Sequence, residues 1–237
     1  MQATDTQRRL LRVAGALLGA GFVLFAIVTQ LFHPHHDENN HPLIFGKYEH
    51  TDAWVIVHIG QFMAVLVALA GFVAVHRVLE LGDNDVLLTR LAFGATIATA
   101  AVWAVLQAVG GTALKDTTEA WAHASVEERG LRFGDAETTR WTEWGLQSYF
   151  RLLLGITFIL FGTALARARL VSRWAAAAGI LAGLLYMTIG VAVGHTGLDK
   201  PGGPIVQLLM LTFIGGVLVA GLRRKTVGSR AFQPSLA

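Results

Sequence analysis

Glu143, Gln147 and Arg151 follow one another at intervals of four residues, which sets a carboxylate, a carboxamide and a guanidinium on one helical stripe. The stripe leads into the apolar run 152–162. Charge inside such a run is costly in hydrocarbon and by default marks a functional position. Other apolar blocks carry polar groups of their own: His58 and Gln61 three residues apart, Gln107 with Lys115 just beyond it, and His195 at a block's end. A pocket drawing on these could hold a small polar or anionic ligand. Arg151 and Lys115 would supply its charge, and His58, Gln61 and Gln107 its orientation. Each residue also has a structural explanation. Arg151 could snorkel to the interface, and buried imidazoles and carboxamides commonly tie helices together.

The second chemistry is metal binding. His33, His35, His36 and His41, interspersed with Asp37 and Glu38, form the most nitrogen-rich stretch, and imidazole with carboxylate suits zinc, copper or iron. Their spacing matches no strong signature, and a solvated polar loop is the simpler explanation of the stretch. A divalent metal with a water activated for hydrolysis is one use of it. Haem is disfavoured: His58 and His195 are the one pair suited to bis-histidine ligation, and repeated two-histidine helices are missing. With no cysteine, thiolate sites, disulfides and iron–sulfur clusters are excluded. The chain also lacks a Walker loop, a dinucleotide-binding glycine fingerprint and a nucleophile elbow.

The elements that must position these groups are membrane spans. The 237 residues are 54% hydrophobic and 15% charged, with a mean hydropathy of +0.53. The apolar residues gather into blocks about 20 long, enough to cross a bilayer core. Six spans are expected at roughly 11–32, 53–76, 89–111, 146–166, 174–195 and 204–222. Arg8, Arg9 and Arg12, then Arg167, Arg169 and Arg173, then Arg223, Arg224, Lys225 and Arg230 place both termini in the cytoplasm. The same charges explain the basic balance of +3 without nucleic acid. Gly15-x-x-x-Gly19 and Gly179-x-x-x-Gly183 should mark close helix contacts. The 112–145 segment reads as an outer helical lid: Asp116 opens a short helix, Gly130 and Gly134 break the chain, and Asp135 caps a second helix leading into the fourth span.

The pattern resembles a group of small bacterial six-span membrane proteins. It does so in Arg9-Leu-Leu-Arg-Val-Ala-Gly15, His33-Pro, His41-Pro-Leu-Ile-Phe45, Val57-His-Ile-Gly-Gln-Phe62, Trp144-Gly-Leu-Gln-Ser-Tyr-Phe-Arg-Leu152 and Ala168-Arg-Leu-Val-Ser-Arg-Trp174. That resemblance implies the bacterial plasma (inner) membrane and carries no activity with it. The expectation is an all-α integral membrane six-helix bundle with a short helical lid on its outer side. Its leading function is binding a small polar or anionic ligand, or a lipid head group, in an outward-facing pocket. A membrane-embedded enzyme, with or without metal, is the alternative, and a structural or assembly role is third.

Overall fold

A computed structural model describes residues 3–33, 38–82, 85–197 and 203–223. The described elements are helices: α1 (Asp5–Phe32), α2 (His41–Glu49), α3 (Trp54–Glu80), α4 (Val86–Ala108), α5 (Leu114–Ala122), α6 (Arg129–Arg167), α7 (Arg173–Thr196) and α8 (Gly203–Leu222). A π-helical turn, Val109–Ala113, joins α4 to α5 without a break. Six stretches are long and apolar enough to cross a membrane, as a multi-pass membrane protein requires: α1, α3, α4 continued through α5, α6, α7 and α8.

Local chemistry sets several of the helix ends. Thr4 and Gln7 form a capping box at the start of α1, Asp85 caps α4 and Ser172 caps α7. In each case a side-chain oxygen takes a backbone N–H that the first turn cannot satisfy. Asn40 caps α2, with Pro42 in its first turn where the missing N–H costs nothing. Helix α7 ends at Gly197, whose φ of 78° suits glycine and stops the helix.

The six long stretches form a closed ring in chain order: α1 packs on α3, α3 on α4, α4 on α6, α6 on α7, α7 on α8, and α8 back on α1. Phe72, Phe158, Phe161 and Phe213 stack at its centre, contributed by α3, α6 and α8. Thr99 and Thr157 link α4 to α6 through a buried hydroxyl pair 3.2 Å apart. Large apolar residues such as Ile56, Leu87 and Leu208 are left on the outside, a face that lipid rather than water would solvate. Both expected glycine pairs lie at helix contacts. Gly15 and Gly19 meet Leu218 and Ile214 of α8; Gly179 meets Phe213, and Gly183 backs onto Gly155 of α6.

Three local expectations are corrected. Helix α6 passes through Gly130 and Gly134 without interruption. Asp116 lies inside α5, which is already helical when it leaves the π turn, and so does not start a helix. Asp135 likewise lies within α6 and caps nothing. Glycine lowers helix stability by about 1 kcal/mol relative to alanine. That penalty is too small to stop a helix whose following turns are anchored by packing. The 112–145 segment is thus made of continuations of α4 and α6, joined at 123–128. The 33–52 connection contributes a helix of its own, α2, packed against α5.

Candidate functional site

At the end of the ring that carries α2, one helix supplies most of the chemistry. Glu137, Arg140, Trp144, Gln147 and Arg151 recur along α6 at steps of three and four, with Glu143 next to Trp144, so they share a face. Arg140 is the centre of that face and is 1% exposed. Its guanidinium donates to Glu143 one turn along and to Glu38 from the segment before α2. It also lies over the rings of Tyr48, at 5.6 Å, and Trp144, at 5.7 Å. Tyr48 donates its hydroxyl to the same Glu38 carboxylate at 2.9 Å. Burial pushes the Tyr48 phenol well above its ordinary value; Arg140 opposes that shift and Glu38 adds to it. Two carboxylates around one guanidinium leave the cluster with a formal excess of negative charge.

Beneath this cluster Trp54 donates its indole N–H to the carbonyl of Gly110, 2.9 Å away in the π turn. A π turn breaks the ordinary i→i−4 ladder and frees backbone groups, which is why such turns gather at functional sites. His58 donates from Nδ1 to the Trp54 carbonyl at 2.9 Å, and His33 stands 5.6 Å from it, ring to ring. These neighbours leave little room at the glycines of the π turn, least of all at Gly111. A side chain at Gly111 would meet His58 Cβ at 2.6 Å, and one at Gly110 would meet Glu143 Oε1 at 3.2 Å.

A shallow, largely open cleft of about 530 Å³ lies beside the cluster, lined by Asn39, Asn40, His41, Pro42, Glu137 and Trp144. His41 Nδ1 is 2.9 Å from Glu137 Oε1. Because a carboxylate only accepts, Nδ1 carries the hydrogen, and Nε2 offers a lone pair when the ring is neutral. The His41 ring meets Trp144 edge-on at 5.1 Å. His41 Nε2, Trp144 Nε1 and Arg140 Nε are buried and have no hydrogen-bond partner among the described residues. Buried polar atoms are normally satisfied; two of these three belong to residues that line the cleft, His41 and Trp144. Asn39 donates to the last-turn carbonyl of Thr196 and ties the cleft to the end of α7.

The side chains expected to share one pocket are divided among several settings. Lys115 Nζ donates to the carbonyls of Tyr48 (2.9 Å) and Glu49 (2.6 Å), capping the C-terminal end of α2; it also pairs with Glu119. Arg151 donates to the carbonyl and side-chain oxygens of Gln147 and lies over Tyr186 of α7. Gln61 reaches Thr29 of α1. Gln107 is buried with its Oε1 unpartnered among the described residues. His195 is exposed near the end of α7. Glu143 and His58 stay beside the Arg140 cluster, and Lys115 reaches it only through the Tyr48 carbonyl. Of the imidazoles considered for metal, His33 packs on Trp54 and His58, His41 on Glu137, and His35 and His36 lie outside the described residues. Among the described residues no three His, Asp or Glu side chains converge on a metal position.

Arg140, Tyr48, Trp54, Glu137 and Trp144 are not among the site residues expected from the sequence, and Glu38 enters there only as a carboxylate of the His-rich stretch. Arg140 and Glu143, three apart next to two tryptophans, were the available signal; their partner Glu38 is 102 positions away from Arg140. No family model, curated protein or solved structure matches this chain.

Proposed function

We propose that this chain is a multi-pass protein of a bacterial plasma membrane that binds a small polar ligand in the cleft of His41, Glu137 and Trp144, open to the outer face. Both termini are cytoplasmic in this reading. Arg8, Arg9, Arg12, Arg167, Arg169, Arg173 and Arg223 all belong to the end of the ring opposite α2, as the positive-inside rule asks of a cytoplasmic face. Helix α2, with α5 and the start of α6, covers the outer mouth as a lid. The observation that carries the binding reading is the cleft itself, lined by His41 paired with Glu137 and by Trp144, two residues each with a ring nitrogen that has no partner among the described residues. An anionic ligand held by Lys115 and Arg151 is set aside, because those cations are engaged with the carbonyls of α2 and with Gln147.

A second reading is favoured by one contact. An imidazole oriented by a carboxylate, as His41 is by Glu137, has the form of a general base or of a metal ligand with its outer-shell partner. In that reading the chain is a membrane-embedded enzyme with its site on the same face.

The natural absence of cysteine makes orientation directly testable. Glu127→Cys, in the exposed link between α5 and α6, should react with a membrane-impermeant maleimide in intact cells. Leu81→Cys, after α3, should react only once the membrane is opened. The reverse pattern would sink the outward-facing site. For binding, native mass spectrometry of nanodisc-embedded protein against a small-molecule library should give adducts that His41→Ala loses. Adducts indifferent to that change would place binding elsewhere.

A further inference from the structure

We infer that the groove between the basic ends of α1 and α8 binds an anionic phospholipid, with Arg12 and Arg223 on its phosphate. The groove is at the end of the ring opposite the cleft, and its occupant is independent of what the cleft holds. Packing brings the two arginines together. Gly15 of α1 backs onto Leu218, and Gly221 of α8 backs onto Arg12, so the two helices stay in contact as far as Arg12. A Cβ on Gly221 would come 2.7 Å from Arg12 Cγ; the bare glycine lets the Arg12 stem lie against α8. Arg223 follows Gly221 by two residues, and both arginines are exposed.

Their charge is not met by the protein. The described carboxylates at this end are already paired: Asp5 with Arg8, Glu80 with Arg77 and Asp85 with Arg167. Arg9, Arg12 and Arg223 are in none of the ion pairs among the described residues. A zwitterionic head group would bring a cation of its own onto this face, where none of those carboxylates is left to receive it. An anionic lipid brings uncompensated phosphate charge, which juxtamembrane arginines attract and a guanidinium can hold through two parallel hydrogen bonds. The surroundings favour a lipid over a soluble anion. Beside the arginines each helix presents an exposed apolar stripe, Val13, Ala16 and Ala20 on α1 and Leu211, Val219 and Leu222 on α8. Acyl chains covering those stripes carry their phosphate up to the arginines. Trp174 marks the same level independently. It is 71% exposed under the Arg173 guanidinium, as an interfacial tryptophan is, and its neighbour Ala175 meets Gly216 of α8. At 1.5 Å per residue, Arg12 and Arg223 stand about 6–9 Å further out than Trp174, in the head-group layer.

The test is native mass spectrometry of the full chain, purified in detergent and titrated with dioleoyl-phosphatidylglycerol or dioleoyl-phosphatidylcholine. The wild type should retain phosphatidylglycerol at collision energies that strip phosphatidylcholine. Arg12→Gln with Arg223→Gln should weaken that binding by about tenfold or more, since each cation near an anionic head group is worth about fivefold. Arg12→Lys with Arg223→Lys keeps the charge and should keep most of the binding. The control is Arg90→Gln, which removes an equally exposed arginine from α4, across the ring, and should leave retention unchanged. Exposed positions of this kind tolerate substitution, so folding is not at stake. Equal retention of the two lipids by the wild type would overturn the site. A loss in Arg90→Gln as large as in the double variant would overturn the groove, because the attraction would then be diffuse. Displacement of phosphatidylglycerol by sodium phosphate would overturn the lipid in favour of a free anion.

Discussion

Arg140 is held with almost no exposed surface between Glu38 and Glu143, so each of the three charges depends on the others for its solvation. Removing one partner of a buried ion pair leaves uncompensated charge and costs about 3–5 kcal/mol. Arg140→Leu should lower stability by an amount of that order, read as a large fall in the melting temperature of detergent-purified protein. Arg140→Lys should lie between the two, because one ammonium cannot fork to two carboxylates as a guanidinium does. A leucine variant as stable as the wild type would mean the triad is not closed in solution. Tyr48 makes a prediction about pH. Its phenol has an ordinary value of 10.0 and is raised well above that in the folded chain. Below pH 10 both states hold the proton and stability is unaffected. Above it the unfolded phenol ionises while the folded one does not, so stability falls as pH rises towards the folded value. Tyr48→Phe removes the ionisable group and should flatten the alkaline limb of the stability curve; an unchanged limb would assign it to other groups. Glu143 could be picked from the sequence because a carboxylate beside an apolar run is conspicuous. Arg140 could not: its meaning comes from Glu38 and Tyr48, brought in by α2 from far along the chain.

At the level of elements, glycine was the misleading letter. Gly134 lies in the interior of α6, and a Cβ built on it meets no atom within 4 Å. Gly134→Ala should therefore stabilise the protein by about 0.5–1 kcal/mol through lower unfolded-state entropy and better helix propensity. A loss on thermal denaturation would show that the helix is broken there after all. Gly110-Gly111 had the opposite character. Its place was read as the end of a span, whereas it forms the π turn that admits His58 and Glu143 on either side. Helix α2 was missed although its signals are local: Asn40 at the cap and Pro42 in the first turn. Nine residues with one His, one Pro and two aromatics, between two much stronger apolar blocks, give too little periodicity to stand out.

On the scale of the whole molecule, the apolar blocks announced all six long helices, because a 20-residue apolar run has few other stable forms in a bilayer. The helices overrun those blocks, most of all α6, which begins at Arg129 where the apolar run suggested about 146. That overrun lifts the polar face of α6 clear of the apolar ring and brings it to α2, so the candidate site arises where hydropathy has nothing left to say. The basic residues gather at the opposite end, which is why the two labelling positions, Glu127 and Leu81, should give opposite answers.

The π turn holds one residue more than an α-helical path between the same ends would need, with the Leu114 N–H reaching back to the Val109 carbonyl. Excising a single glycine from it would let α4 run into α5 as one ordinary helix. It would also turn everything beyond by about 100° around the axis. Lys115 would swing off the Tyr48 and Glu49 carbonyls, and α2 would lose its mooring to the third span. The reading frame of one helix, counted in single residues, thus decides whether α2 stays joined to the ring.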